Sequence, residues 1–127
     1  MLTRLSISNY AIIDNLNIEF HEKLNSVTGE TGAGKSIILG ALGLILGNRA
    51  DLSVLKDQSK KCVVEGVFEI GNYNLQSFFE DNDLDFETTT IIRREITSSG
   101  KFRAFINDTP VNLKTMRDLG LCLIDIH

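Results

Sequence analysis

Residues 29–36 read Gly-Glu-Thr-Gly-Ala-Gly-Lys-Ser, the G-x-x-x-x-G-K-[ST] spacing of a phosphate-binding loop. The residue types carry the chemistry. Glycines at 29, 32 and 34 let the backbone take conformations closed to other residues and approach an anion closely. The loop amides and the first turn of a following helix can then point at phosphate oxygens, with the positive end of the helix dipole behind them. The predicted phosphate contacts are Gly29, Glu30, Thr31, Gly32, Ala33, Gly34, Lys35 and Ser36. Lys35 reaches the β- and γ-phosphates as a point charge, and Ser36 holds Mg²⁺ through its hydroxyl. A glycine turn that only caps a helix would need neither the lysine nor the second and third glycines.

Two elements must hold that loop. Residues 24–28 can run as a short strand into it, and 35–46 continue from it as a helix. The helix is apolar nearly all round, which predicts a buried central element. Gly40 and Gly43 are expected to allow close packing on a sheet, and Gly47-Asn48 to end the helix. Upstream, residues 2–8 and 12–20 alternate apolar and polar side chains as strands do, followed by a polar turn at 21–23.

Downstream, 49–61 is polar and reads as a loop with one short helical turn, whereas 62–70 returns to alternation and reads as a strand. A short helix is predicted at 75–80. The acidic run that follows (Glu80, Asp81, Asp83, Asp85, Glu87) lacks the central glycine of a Ca²⁺ loop and reads as a solvated loop. Residues 88–97 and 101–107 flank Ser98-Ser99-Gly100 as a hairpin, and Asp108-Thr109-Pro110 is another turn. Asn112 can cap a helix over 113–119 that Gly120 stops, leaving 121–126 as a final buried strand. Strands outnumber helices and the hairpins are antiparallel. The expected class is therefore mixed α+β, not a doubly wound α/β sheet.

Composition narrows the partners. The 127 residues carry 13 basic against 17 acidic side chains, a net charge of −4, which argues against a general nucleic-acid footprint but leaves room for a local basic patch. Arg93, Arg94, Lys101 and Arg103 cluster on the predicted hairpin and form that candidate patch for DNA contact. Lys101 and Arg103 share a strand face, with Phe102 opposite and packed inward. A solubilising hairpin face is the plainer reading of the same residues. Cys62 and Cys122 lie in apolar strand-like runs, as buried thiols of a reducing compartment do. The longest apolar run is the loop's own helix, too short to cross a bilayer, so no membrane partner is expected and the location is read as cytoplasmic. His21 and His127 are isolated from other metal-ligating side chains.

A second nucleotide reading stays open. Leu121-Cys122-Leu123-Ile124-Asp125 has the pattern of a Walker B strand, four apolar residues before an acid. With Asp125 as the Mg²⁺ acid, the chain could be a complete small P-loop kinase acting on a nucleotide or metabolite. Against this, Ile126 and not an acid follows Asp125, and no arginine-rich lid is evident.

The flanks of the loop carry a more specific likeness. Residues 25–51, Asn-Ser-Val-Thr-Gly-Glu-Thr-Gly-Ala-Gly-Lys-Ser-Ile-Ile-Leu-Gly-Ala-Leu-Gly-Leu-Ile-Leu-Gly-Asn-Arg-Ala-Asp, resemble the head segment of bacterial DNA repair proteins in the SMC-like branch of the ABC-type ATPases. Ile-Ser-Asn-Tyr-Ala-Ile-Ile-Asp-Asn-Leu-Asn-Ile-Glu at 7–19, the stretch from Arg93-Arg94-Glu95-Ile96 to Arg103–Val111, and Leu-Ile-Asp-Ile-His at 123–127 extend it over the whole chain. The resemblance implies an ABC-type P-loop half-head with a mixed sheet, antiparallel hairpins and a buried P-loop helix. It implies ATP with Mg²⁺, and DNA as a partner of the full-length protein. Residues 1–127 would be the N-terminal lobe, truncated before the family's coiled coil. The C-terminal half of the same head would be its partner, and a second head would close an ATP sandwich. The signature motif, the Mg²⁺-binding aspartate and the catalytic glutamate belong to that other half, so little turnover is expected of this lobe alone. One departure concerns Lys56, where relatives often carry arginine; a lysine lacks the fork for bidentate phosphate contact, and neither Lys56 nor Arg49 is expected to act across a dimer.

Overall fold

The computed structural model describes residues 1–20, 32–50 and 52–124. The predicted strand at 24–28, the turn at 21–23, loop residues Gly29, Glu30 and Thr31, and Asp125 lie outside them. Six strands form one sheet in the order β2-β1-β3-β4-β5-β6, with every pairing antiparallel. They are β1 Leu2–Tyr10, β2 Ile13–Glu19, β3 Cys62–Glu69, β4 Thr89–Ile96, β5 Phe102–Ile106 and β6 Thr109–Val111.

Alternation sorts the two faces, since successive side chains of a strand point to opposite sides. Leu5 and Ile7 of β1, Val64 and Phe68 of β3, Ile92 and Ile96 of β4, and Ala104 and Ile106 of β5 form the inner face. The register lines them up across the sheet, Ile7 against Val64 and Ile92 against Ile106. Helix α1 (Gly32–Ile45) lies over β1, β3 and β4, and α3 (Leu113–Ile124) over β5; a short α2 (Gln76–Asp81) seats Phe79 in the core. Gly66 on β3 leaves room for α1: a Cβ there would fall 2.5 Å from Cδ1 of Ile45.

Three elements differ from the sequence expectation. Residues 121–124, expected as a strand, are the last turn of α3, and Cys122 is therefore helical. Gly120, expected as a helix stop, lies inside that helix, where it lets the backbone of Leu46 approach. The turn expected at 108–110 sits one residue earlier. Asn107 and Asp108 take positive φ (49° and 67°) and Thr109–Val111 pairs as a short edge strand, where Pro110 needs no donor of its own. Asn112 does cap α3, its Oδ1 accepting the Thr115 amide at 2.8 Å.

Candidate nucleotide-binding site

Helix α1 starts at Gly32, inside the glycine-rich motif, so the loop feeds straight into a helix N-terminus. No acidic side chain stands in its first turn to compete with an anion. Lys35 and Ser36 are exposed on that turn, and an ammonium with a neighbouring hydroxyl is the donor set that phosphate and Mg²⁺ require. The described residues fit both groups. Of the eight predicted contacts, Gly32, Ala33, Gly34, Lys35 and Ser36 fall on α1, while Gly29, Glu30 and Thr31 lie outside the described residues.

The rest of α1 is held from its far end. Ala41, Leu44 and Ile45 are buried against the sheet, whereas Leu39 is 56% exposed. Burial of this apolar helix is thus concentrated on one side of its C-terminal half. Gly40 faces the Tyr10 hydroxyl, which would stand 2.5 Å from a Cβ there; Gly43 faces the side chain of Asn48 and not the sheet. The helix closes in a Schellman arrangement: the Asn48 amide donates to the Gly43 carbonyl (2.9 Å) and the Gly47 amide to that of Leu44 (3.3 Å). Gly47 sits at φ +101°, as the motif requires.

Arg94 completes that closure. Its Nη1 donates to the carbonyl oxygens of Leu44 (2.7 Å) and Asn48 (2.8 Å), and the residue is 3% exposed. Burial lowers its pKa from the usual arginine value, partly offset by the neighbouring Cys62. Arg94 stands on the inner face between Val64 and Ala104, so it is not part of a basic hairpin surface.

Of the other predicted DNA contacts, Arg93 and Arg103 are on the outer face, but not as free charges. Arg93 reaches Glu95 (3.2 Å), Asp108 (3.4 Å) and Glu65 (3.7 Å), and its guanidinium lies 4.4 Å from the centroid of Phe105. Arg103 lies 3.8 Å from Glu95, half-exposed. Lys101 is exposed at the turn. Phe102, expected to pack inward, shares the inner-face parity of Ala104 but is 42% exposed, because the helices do not cover that rim. It lines a cavity of about 320 Å³ with Arg49, Arg103 and Leu113.

Sequence reasoning missed a second anchoring unit beside α1. Asn9, at φ 57°, takes the Asp57 amide on Oδ1 (2.7 Å) and donates from Nδ2 to the carbonyls of Asp57, Lys60 and Lys61 (3.0, 3.0 and 3.3 Å). The Ala11 amide adds a bond to the Val54 carbonyl at 2.7 Å. An Asn at the end of an alternating run, the residue type that best tolerates left-handed backbone, is the signal in the sequence that could have marked it. Lys56 pairs with Asp14 at 2.7 Å.

The Walker B reading of 121–125 loses its support. Such an acid is delivered by the end of a strand, and Leu121–Ile124 is helical; Asp125 itself lies outside the described residues.

Comparison with known proteins agrees with this geometry. Residues 4–120 match the AAA domain family. The DNA repair protein RecN of Vibrio cholerae is 44% identical over the whole chain, and that of Haemophilus influenzae 37%. The chain spans only 23% and 24% of those relatives. Among solved structures, an SMC ATPase studied for ATP-driven dimerization and DNA-stimulated activation superposes with a TM-score of 0.72 at 19% identity, covering 97% of this chain and 79% of the other. That likeness fixes the fold as a P-loop, ABC-type ATPase half-head. The chain belongs to the AAA domain family, and along its whole length it is similar to the DNA repair protein RecN.

Proposed function

We propose that residues 29–36 bind the phosphates of ATP with Mg²⁺, and that the chain is the nucleotide-binding lobe of a RecN-like ATPase acting in DNA double-strand break repair and recombination. One observation carries the nucleotide part: the glycine–lysine–serine motif runs directly into α1, with Lys35 and Ser36 exposed on its first turn. The RecN relatives carry the repair part.

In this reading the loop amides and the N-terminus of α1 hold the phosphate oxygens. Lys35 neutralises the β- and γ-phosphates, and the Ser36 hydroxyl takes one position on the metal. When bound, Mg²⁺ would supply neutralisation of the charge on the phosphate oxygens during γ-phosphoryl transfer. Transfer also needs an acid on the metal from a second side and a positioned water. A second lobe from the rest of the same protein, and a second head across the nucleotide, would supply them. Weak turnover by this lobe alone follows.

Contact with DNA is proposed at the outer face of the β4–β5 hairpin, through Lys101 and Arg103. Arg93 is largely neutralised there and Arg94 is turned inward. A protein with this role works in the cytoplasm; in the described residues, no helix is long and apolar enough to cross a membrane.

The test is ATP titration by calorimetry on the full-length protein and its Lys35→Ala variant. Loss of a charge-assisted contact predicts at least about tenfold weaker binding. Equal affinity would remove the assignment.

A further inference from the structure

Among the described residues, Arg94 is the buried cation of the core, and it forms no ion pair there. Its partners are two carbonyl oxygens at the C-terminal end of α1. A helix end carries partial negative charge, so a cation placed there is stabilised. A buried charge is nonetheless costly where an apolar side chain would fill the same space. Its two neighbours across the sheet, Val64 and Ala104, are apolar and buried.

The directionality of the two bonds separates Arg94 from the apolar contacts beside it. Ala41, Leu44 and Ile45 hold α1 on the sheet through non-directional burial, which resists lifting but resists sliding and rotation less. A guanidinium bonded to Leu44 and Asn48 fixes both. The Schellman closure makes those carbonyls one unit with the helix, and a 14-residue helix is a rod about 21 Å long. Displacement at the end that Arg94 holds is carried to the end where Lys35 and Ser36 stand.

We propose that Arg94 is a positioning residue for nucleotide binding: it locks the C-terminal end of α1 to β4 and so sets where Lys35 and Ser36 meet the phosphates. This rests on the phosphate-site reading above.

The experiment uses full-length protein, ATP titration by calorimetry, and four variants: Arg94→Lys, Arg94→Met, Arg94→Ala and Lys35→Ala. Arg94→Met should weaken ATP binding about tenfold, and Arg94→Lys by less, since an ammonium keeps the charge and can donate to both carbonyls from one nitrogen, on a shorter side chain. Millimolar methylguanidinium should restore affinity to Arg94→Ala and leave Lys35→Ala unchanged, a rescue that a merely destabilised protein would not show. Folded Arg94 variants that bind ATP like wild type, while Lys35→Ala does not, would overturn the proposal. Wild-type affinity in Lys35→Ala would instead overturn the phosphate-site reading itself. Should the Arg94 variants fail to fold, amide exchange in the wild type decides. ATP is expected to slow exchange at Gly47 and Asn48 as well as at 34–36; protection confined to the first turn would sink the idea.

Discussion

Gly120 of α3 lies so close to Leu46 at the end of α1 that a Cβ on it would fall 2.5 Å from the Leu46 carbonyl oxygen. The contact is backbone to backbone, and Gly47 repeats it against Cα of Arg117, also at 2.5 Å. The chain leaving α1 therefore crosses α3 backbone to backbone at Leu46 and Gly47, next to the carbonyls that Arg94 holds. Gly120→Ala tests this. On helix propensity alone the change should stabilise by about 1 kcal/mol. Because the obstructing atoms are backbone and cannot rotate away, a net loss of about 1–3 kcal/mol is expected instead. A chemical denaturation midpoint reads it, and a rise in that midpoint would refute the crossing.

The same glycine shows what the sequence could and could not convey. Period-2 alternation placed β1, β3, β4 and β5 within a residue or two, because each has one face on the core. The phosphate motif was legible because its spacing is set by local backbone geometry. Gly120 was misread because a glycine after an apolar run looks the same whether it ends a helix or admits another backbone. Residues 121–124 were misread because four apolar residues suit a strand or a buried helix end equally. Arg94 could not be told from Arg93 by composition. Only the register, which puts Arg94 beside Val64 and Arg93 beside Glu65, separates a core anchor from a surface charge.

Asn9 should be among the least replaceable polar residues of the chain. It is 6% exposed, it occupies left-handed backbone that asparagine tolerates, and it makes four bonds to residues 57, 60 and 61. Asn9→Ala adds backbone strain and strands buried partners, and is expected to cost about 2–4 kcal/mol. Asn9→Gly removes the strain but not the lost bonds, so it should recover only a part of the stability. Thermal melts of the two variants against wild type make the comparison, and equal stability of Asn9→Ala and wild type would contradict the hub.

Cys62 and Cys122 should behave differently toward thiol reagents. Burial pushes the Cys62 thiol up to about 11, with Arg94 opposing, and its side chain is fully enclosed. Cys122 is half-buried on α3. A disulfide reagent at pH 8 should label Cys122 first and Cys62 at the rate of unfolding. The raised pKa also has a stability consequence. The unfolded thiol ionises near 8.5, before the folded one, so this contribution is intact below about pH 8.5 and lost as pH rises toward 11. Replacing Cys62 by valine should flatten that part of the alkaline stability curve. Equal labelling rates for both thiols in the native protein would contradict the enclosure.

Glu95 sets the electrostatic character of the hairpin's outer face. It is 8% exposed, yet it faces three cations: Arg93 at 3.2 Å, Lys61 at 3.7 Å and Arg103 at 3.8 Å. One carboxylate thus draws together cations from three separate strand or loop positions, and with Glu65 and Asp108 beside Arg93 a basic cluster in the sequence becomes a nearly balanced surface. Glu95→Gln keeps the shape and removes the negative charge. If this face meets DNA, the variant should bind more tightly, and its plot of log affinity against log salt should steepen by about one unit. Arg103→Gln should shift the slope by a similar amount in the opposite direction. Fluorescence anisotropy on the full-length protein at several salt concentrations measures both. Because the two substitutions change net charge in opposite senses, Glu19→Gln on β2, at the far edge of the sheet, is the control: an unchanged slope there would tie the effect to the hairpin surface and not to net charge in general. Unchanged slopes in both hairpin variants would leave the hairpin as scaffold, with Glu95 serving only to keep its arginines in place.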